Sequence, residues 1–420
     1  MPSGDLADLF DPGLTDLDQF AERVPFDTFD RLRREAPVYW HPEGPPNHGF
    51  WAVTRHDDVD RVHHDVKTFS SEVGAVSIEE LDDEQLSTRK SMIDMDAPGH
   101  TQLRATVNHR FTPRAVGAYM DQLRILTRET LDQALAKEQF DFVDEISRRV
   151  PVRMLCRILD LPMEDSELFV RWGNALFGNT DPEYTPVVFG RDDTEPYRHL
   201  PFRSPSGAEL FAYASNVAAE RGRDPGPDVL SMLLRAVVDG RPLTEREFQN
   251  NFQLLLVAGN ETTRQAISHS MLALMDHPEQ LRRLTDDPSL MPVAVEEMLR
   301  WATPIYQFRR TATRDVVLRG QRIRRGDKVV AWYISANRDE DVFAEPYRFD
   351  ITRSPNPHVT FGPGGPHFCL GAHLARLELR VLFEELLPRI RHIELTGPAT
   401  RLRSNFINGI KHLPVQVATK

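Results

Sequence analysis

Apolar residues recur along this chain in two rhythms. From about 99 to 300 they return every three or four positions, the spacing of one helix face, and 116–137, 143–159, 206–221 and 244–275 each read as a helix. Pro/Gly/Asp clusters at 179–205 and 222–228 interrupt that run. Near both ends the pattern changes to short strands. Residues 37–40 (Pro-Val-Tyr-Trp) and 50–54 (Phe-Trp-Ala-Val-Thr), joined by the Pro/Gly-rich turn 42–49, predict a small N-terminal sheet. Strand-like segments return within 308–333, as in Asp315-Val-Val-Leu and Lys328-Val-Val-Ala-Trp-Tyr. A final helix is expected over 371–388, followed by short strands over 390–418 with a turn at Leu395-Thr-Gly-Pro. The expected fold class is mainly α with small β-sheets. No stretch reads as an interdomain linker or a fixed-period repeat, so 1–420 is read as one domain.

Composition narrows the class. The chain is 40% hydrophobic and 27% charged, as in soluble globular proteins. No apolar run approaches the roughly 20 residues that span a bilayer. The start, Met-Pro-Ser-Gly-Asp-Leu-Ala-Asp-Leu-Phe, lacks the basic and apolar regions of a secretory signal, so a cytoplasmic protein without a membrane anchor is expected. A net charge of -12 argues against a nucleic-acid partner. Of two cysteines, Cys156 lies in an apolar helical stretch and reads as packing, and no disulfide framework is supported.

The other cysteine sits in Phe361-Gly-Pro-Gly-Gly-Pro-His-Phe-Cys369-Leu-Gly371-Ala-His-Leu-Ala-Arg376. Glycines let a backbone take positive φ and approach a flat object closely. A thiol beside a helix start meets unpaired N–H groups, which favour thiolate. Thiolate ligation of a haem iron needs that combination; the alternative is a buried core cysteine. A second constellation is Leu254-Leu-Leu-Val-Ala258-Gly259-Asn-Glu261-Thr262-Thr263. Glycine costs about 1 kcal/mol against alanine inside a helix, so the stretch suggests a local widening where something large approaches. Otherwise it is a helix whose threonines bond back to their own carbonyls. A third, Glu296-Glu297-Met-Leu-Arg300-Trp301, sets Glu297 and Arg300 at i, i+3, usually a surface ion pair. A fourth, Asp94-Met-Asp-Ala-Pro-Gly-His100-Thr-Gln-Leu-Arg104, puts His100 and Arg104 one turn apart, able to face one anion or to stand solvated.

These four segments, in this order and spacing, resemble the cytochrome P450 family from about residue 90 to the C-terminus. The resemblance implies a P450 fold, with heme b held between a long distal helix and a proximal cysteine-loop helix. Cys369 would be the axial ligand. Phe361 and Gly362 would open the loop, although Phe361 lies eight residues before Cys369 where the family pattern has seven. His367 would reach a haem propionate, and Gly371 would let the following helix pass close to the macrocycle. Ala258 and Gly259 would stand over the cofactor, Gly259 making room for dioxygen. Glu261 and Thr262 would be the acid–alcohol pair that delivers protons to it. His100, Arg104 and Arg310, with Arg309 as the competitor one residue away, would meet the propionates. Glu297, Arg300 and Arg348 (in Pro346-Tyr-Arg348-Phe-Asp) would form a structural lock beneath the cysteine side.

The implied activity is monooxygenation: hydroxylation of an unactivated C–H using O2. No flavin or nicotinamide fingerprint is present, so electrons would come from a separate ferredoxin and ferredoxin reductase. Arg104, Arg110, Arg114 and Arg376 are either a basic docking face for an acidic donor or solvated side chains. By the same resemblance the substrate pocket would include Val257, Ala258, Thr303, Ile305, Tyr306 and Phe406, under a lid from 72–93 and 172–205. Those residues are largely apolar, which suits a hydrophobic small molecule. The loop, Ala-Gly-Asn-Glu-Thr-Thr and Arg401-Leu-Arg-Ser-Asn-Phe-Ile-Asn-Gly-Ile-Lys-His-Leu-Pro resemble actinobacterial hydroxylases of sterol side chains and methyl-branched lipids. A sterol, terpenoid or branched lipid is therefore expected, acted on by a monomer. Tailoring of a polyketide or other secondary metabolite stays open, as does a peroxide-driven haem-thiolate enzyme.

Overall fold

The computed structural model describes residues 12–45 and 47–420. Much of the acidic N-terminal stretch, residues 1–11, lies outside the described residues.

The centre of the molecule is the helix Glu245–Asp276, 32 residues and so about 48 Å long at 1.5 Å per residue. It starts at a reciprocal cap: Glu247 N–H donates to Thr244 Oγ1 (3.2 Å) and Thr244 N–H to the Glu247 carboxylate (2.7 Å). It ends at His277, before Pro278. From Phe248 to Leu274 its buried residues fall on every face, as expected of a helix sunk in the core. The helices Arg149–Leu159, Ser166–Phe177, Ser206–Arg223, Met291–Ala302 and Ala372–Leu386 pack around it. Cys156 is fully buried in this body, and that burial, before any neighbouring charge, pushes its thiol up to about 12.

One expected helix is divided. Of 143–159, residues Val143–Ser147 form a wider turn closed by Arg148 N–H on the Val143 carbonyl (3.0 Å), and α-helix proper begins at Arg149. Pro151 has no N–H for the carbonyl of Ser147, so a regular helix cannot run through.

A five-stranded sheet flanks the helical body. Val38–His41 pairs antiparallel with Phe50–Val53, which runs parallel to Lys328–Trp332. Lys328–Trp332 pairs antiparallel with Gln307–Ala312, and Phe69–Ser70 closes the edge. The period-2 alternation of Gln307–Ala312 matters for the site. Arg310 reaches the central cavity, while Arg309 turns to the carbonyls of Ser77 (3.4 Å) and Glu79 (3.0 Å). A second sheet joins Ile390–Leu395, Pro414–Thr419 and Gln139–Asp141.

Candidate active site

The long helix, the cysteine loop and the strand Gln307–Ala312 enclose a cavity of about 1320 Å³ with a mainly apolar wall. Cys369 opens into it from one side; Ala258, Gly259 and Thr262 line it from the other.

The cysteine loop is built on glycines that other residues could not replace. Gly362, Gly364 and Gly365 have φ of +81°, +131° and +75°. A Cβ on Gly364 would lie 2.9 Å from His64 Nε2, and one on Gly365 2.9 Å from the His63 carbonyl oxygen. Cys369 N–H donates to the Phe361 carbonyl at 2.9 Å, which closes the loop despite its extra residue. The Phe361 ring carries the Arg376 guanidinium 4.5 Å from its centroid, and Arg376 is itself held by both oxygens of Glu296 (2.7 and 2.9 Å). A Cβ added at Gly371 would meet nothing within 4 Å; the space beside it is cavity. Cys369 is exposed, and it lines this cavity. Desolvation raises its pKa, opposed by the Gly371 N–H and the guanidinium groups of Arg104 and Arg376. A metal bound to the sulfur would act in the same sense as those groups, outweigh the desolvation and deprotonate it.

At one end of the cavity stand His100, Arg104, Arg310 and His367. The two imidazoles lie 4.1 Å apart, and His367 Nε2 is 3.1 Å from Ser71 Oγ. Arg104 donates to the Phe368 carbonyl (2.6 Å) and Arg310 to the Arg309 carbonyl (2.8 Å); among the described residues neither joins an ion pair. His100 Nδ1 is buried without a hydrogen-bond partner. Burial, reinforced by the neighbouring arginines, lowers His100 to about 4 and His367 to about 2. A buried guanidinium group (Arg310) and a half-buried one (Arg104) without carboxylates, next to orphaned imidazole nitrogen, fit a ligand bearing two carboxylates. With the thiol and the open space at Gly371, this donor set suits haem.

Across the cavity the long helix runs unbroken as α-helix through Ala258–Thr263, without the local widening expected from the sequence. Thr262 Oγ1 instead donates back to the Ala258 carbonyl at 2.9 Å. Gly259 has a packing reason: a Cβ there would meet a Leu155 methyl at 3.1 Å. Glu261 is not on the cavity wall. It lies buried on the helix flank, paired with Arg264 and accepting from Gln265 Nε2 (2.8 Å), while its Oε2 has no partner. Arg264 also reaches Asn174 Oδ1 at 2.6 Å. The sequence reading missed Glu378, a fully buried acid one turn beyond the cavity residues Leu374 and Ala375. Neither of its oxygens completes a hydrogen bond, although the Thr263 hydroxyl is close, and desolvation holds its pKa well above the carboxylate range. Nothing in an amphipathic helix pattern marks such an inward acid.

The family model for cytochrome P450 matches residues 17–416. The chain belongs to the cytochrome P450 family. It is 37% identical to a steroid C26-monooxygenase of Mycobacterium tuberculosis over 99% of this chain and 94% of that one. It is 40% identical to a methyl-branched lipid omega-hydroxylase of the same species, over 92% and 90%. Among solved structures, a Mycobacterium marinum cytochrome P450 in complex with pseudoionone superposes with a TM-score of 0.89 at 39% identity, covering 99% of both chains. A Bacillus megaterium P450 in complex with testosterone gives 0.82 at 31%, over 95% of this chain and 99% of that one. The P450 is thus a haem-thiolate monooxygenase, of a family that uses O2 and hydrophobic substrates. No helix among its described residues is long and apolar enough to cross a membrane.

Three sequence expectations for the P450 need correction. The guanidinium that completes the buried Glu297–Arg300 pair is Arg353, not Arg348. Glu297 and Arg300 are both fully buried and joined by two bonds (2.7 and 2.8 Å). Arg353 Nε bridges both Glu297 oxygens at 3.1 and 3.2 Å. Arg348 points outward to Glu345 and gives the lock only its carbonyl, which accepts from Arg353 (2.8 Å) and Arg300 (3.4 Å). Thr303 does not face the cavity. It ends the helix Met291–Ala302 at φ +38°, its hydroxyl donating to the Arg300 carbonyl (2.7 Å) and accepting from Asn337 (2.9 Å). Tyr306 precedes the strand Gln307–Ala312 and turns into the core with Phe20 and Trp332, its hydroxyl donating to Asn408 Oδ1 (3.0 Å). Val257, Ala258, Ile305 and Phe406 do line the cavity, the last two brought together by the Ile305–Ile407 bridge.

Both expected lid segments border the cavity and are cross-linked by charge. Glu79 accepts from Arg89 (2.9 and 3.2 Å) and from Arg203 (2.6 Å), and Arg198 pairs with Glu195 and Asp82.

Proposed function

We propose that Cys369 would hold the iron of heme b in this P450 through its thiolate. Arg104 and Arg310 would neutralise the propionates, the neutral imidazoles of His100 and His367 would hydrogen-bond them, and the Ala258–Thr262 face would close the cavity across from Cys369. Bound there, the haem supplies the iron at which O2 is reduced and one oxygen atom enters a C–H bond. The chain's own residues do the rest. Thr262 presents a hydroxyl at the cavity wall that can hold a water molecule by exchanging its bond to the Ala258 carbonyl. Glu261 stores a carboxylate behind it, and must leave Arg264 to pass a proton inward. The lid excludes bulk water, so that proton delivery is confined to these groups.

The substrate assigned to this cavity is a sterol, terpenoid or methyl-branched lipid, hydroxylated at an unactivated carbon. Electrons come from a ferredoxin and its reductase, and the chain works as a single-domain monomer. The observation that carries the reading is the joint placement of Cys369 and Thr262 on one large, mainly apolar cavity. The relatives acting on steroids and branched lipids, and the pseudoionone and testosterone complexes, support the substrate class. The test is optical titration of the haem protein with steroids, terpenoid ketones, branched lipids and macrolides. A spin-state change with one of the first three is expected; a response to macrolides alone contradicts the assignment.

A further inference from the structure

One polar side chain on the cavity wall has no part in holding the cofactor or moving protons. Gln307 begins the strand Gln307–Ala312, opposite Trp332 in the ladder, and is 2% exposed. It lines the cavity, yet its amide makes no hydrogen bond to any described residue, and its Oε1 is fully buried. An unpaired amide in an apolar wall destabilises the fold. It lies three positions from Arg310, about 10 Å along a strand. The odd separation turns it to the face that Arg309 shares, toward the 76–79 stretch of the lid rather than the propionate end. Ile78 and Ile305 lie on the same cavity wall, and the buried Trp332 Nε1, opposite Gln307 in the ladder, is the competing donor without a partner among the described residues.

We infer that Gln307 is a specificity-determining residue: its amide takes a hydrogen bond with a carbonyl or hydroxyl oxygen of the substrate, at the end remote from the carbon oxidised. The substrate is then an oxygenated apolar molecule rather than a plain hydrocarbon. The inference rests on the P450 reading of the cavity. A site built to bond such an oxygen discriminates strongly against the analogue that lacks it.

The experiment compares a terpenoid ketone with the hydrocarbon in which methylene replaces the carbonyl, by optical titration of the haem-loaded enzyme. Wild type is expected to prefer the ketone by about tenfold or more. Gln307→Leu is expected to abolish that preference while leaving hydrocarbon affinity unchanged. Gln307→Glu, close in shape but without the amide donor, is expected to lose it too. Gln253→Leu, at another amide on the wall without a bonded partner among the described residues, is the comparison and should keep it. A preference intact in Gln307→Leu overturns the inference, as does loss of preference in Gln253→Leu alone. So does a lowered unfolding temperature in Gln307→Leu with the preference unchanged, which would mean that the amide serves the buried Trp332 Nε1 instead. Absence of haem absorbance in wild-type protein would overturn the underlying reading and this one together.

Discussion

Removing Arg353 should damage this enzyme where removing Arg348 should not. Glu297 is a carboxylate with no exposed surface. Its charge is shared by Arg300, the Arg353 guanidinium, Asn356 (3.1 Å) and the Asp350 N–H (3.1 Å). Arg353→Ala leaves the Arg300 pair but deletes a bridging charge-assisted bond and three bonds to the carbonyls of Ala344, Glu345 and Arg348. Hydrogen bonds to charged groups contribute about 1.5–3 kcal/mol, and losing one partner of a buried pair costs about 3–5 kcal/mol. With Arg300 still in place, about 3 kcal/mol is the expected loss. For a chain of this length that lowers the unfolding temperature by about 3 °C. Arg348→Ala removes a guanidinium paired at the surface with Glu345, so about 0–0.5 kcal/mol is expected. Both haem-loaded variants would be followed by thermal unfolding and by decay of the thiolate-haem absorption. If Arg348→Ala is destabilised as much as Arg353→Ala, the assignment of the third member of the lock is wrong.

Other consequences can be measured independently. Thr262→Ala should raise the hydrogen peroxide released per electron pair several-fold at unchanged substrate binding; product-to-electron stoichiometry checks it, and unchanged coupling would remove the hydroxyl's role. Desolvation raises the pKa of Glu378 in the folded protein, so its burial costs stability progressively as pH rises above its unfolded value near 4.3. Glu378→Gln should therefore gain stability relative to wild type as pH rises from that value, by up to about 1.4 kcal/mol per pH unit; a difference in urea midpoints that stays constant with pH would contradict the raised pKa. Glu79→Gln should loosen the two lid segments, speeding ligand entry and exit several-fold and weakening the dependence of those rates on salt. Stopped-flow optical traces report both, and rates insensitive to the change would exclude a latch.

Much of the site was legible because its chemistry is local in sequence. The cysteine loop, the Ala-Gly-x-Glu-Thr-Thr stretch and the Glu-x-x-Arg turn each announce themselves through residues that a plain helix or loop would avoid. Misread features depended on backbone path. Arg348 and Arg353 occupy one irregular loop, and only its course decides which guanidinium turns inward. Thr303 looked like cavity wall until the left-handed residue at the helix end rotated it away. Tyr306 stands just before its strand and was lost to the core around Phe20 and Trp332, while strand alternation separates Arg309 from Arg310. Glu378 and Gln307 left no trace in the pattern, since each is a polar residue standing where periodicity expects solvent or an apolar side chain. The wide turn at Val143–Ser147 had a visible cause in Pro151, but the helical rhythm around it concealed the break.

The central claim is that the sulfur of Cys369 ligates the haem iron. Its most direct test is the absorption of the ferrous carbon monoxide complex in wild type and in Cys369→Ser. The red-shifted band of a thiolate-ligated haem is predicted for wild type and should be absent from the serine variant. A red-shifted band that survives the substitution would contradict the account.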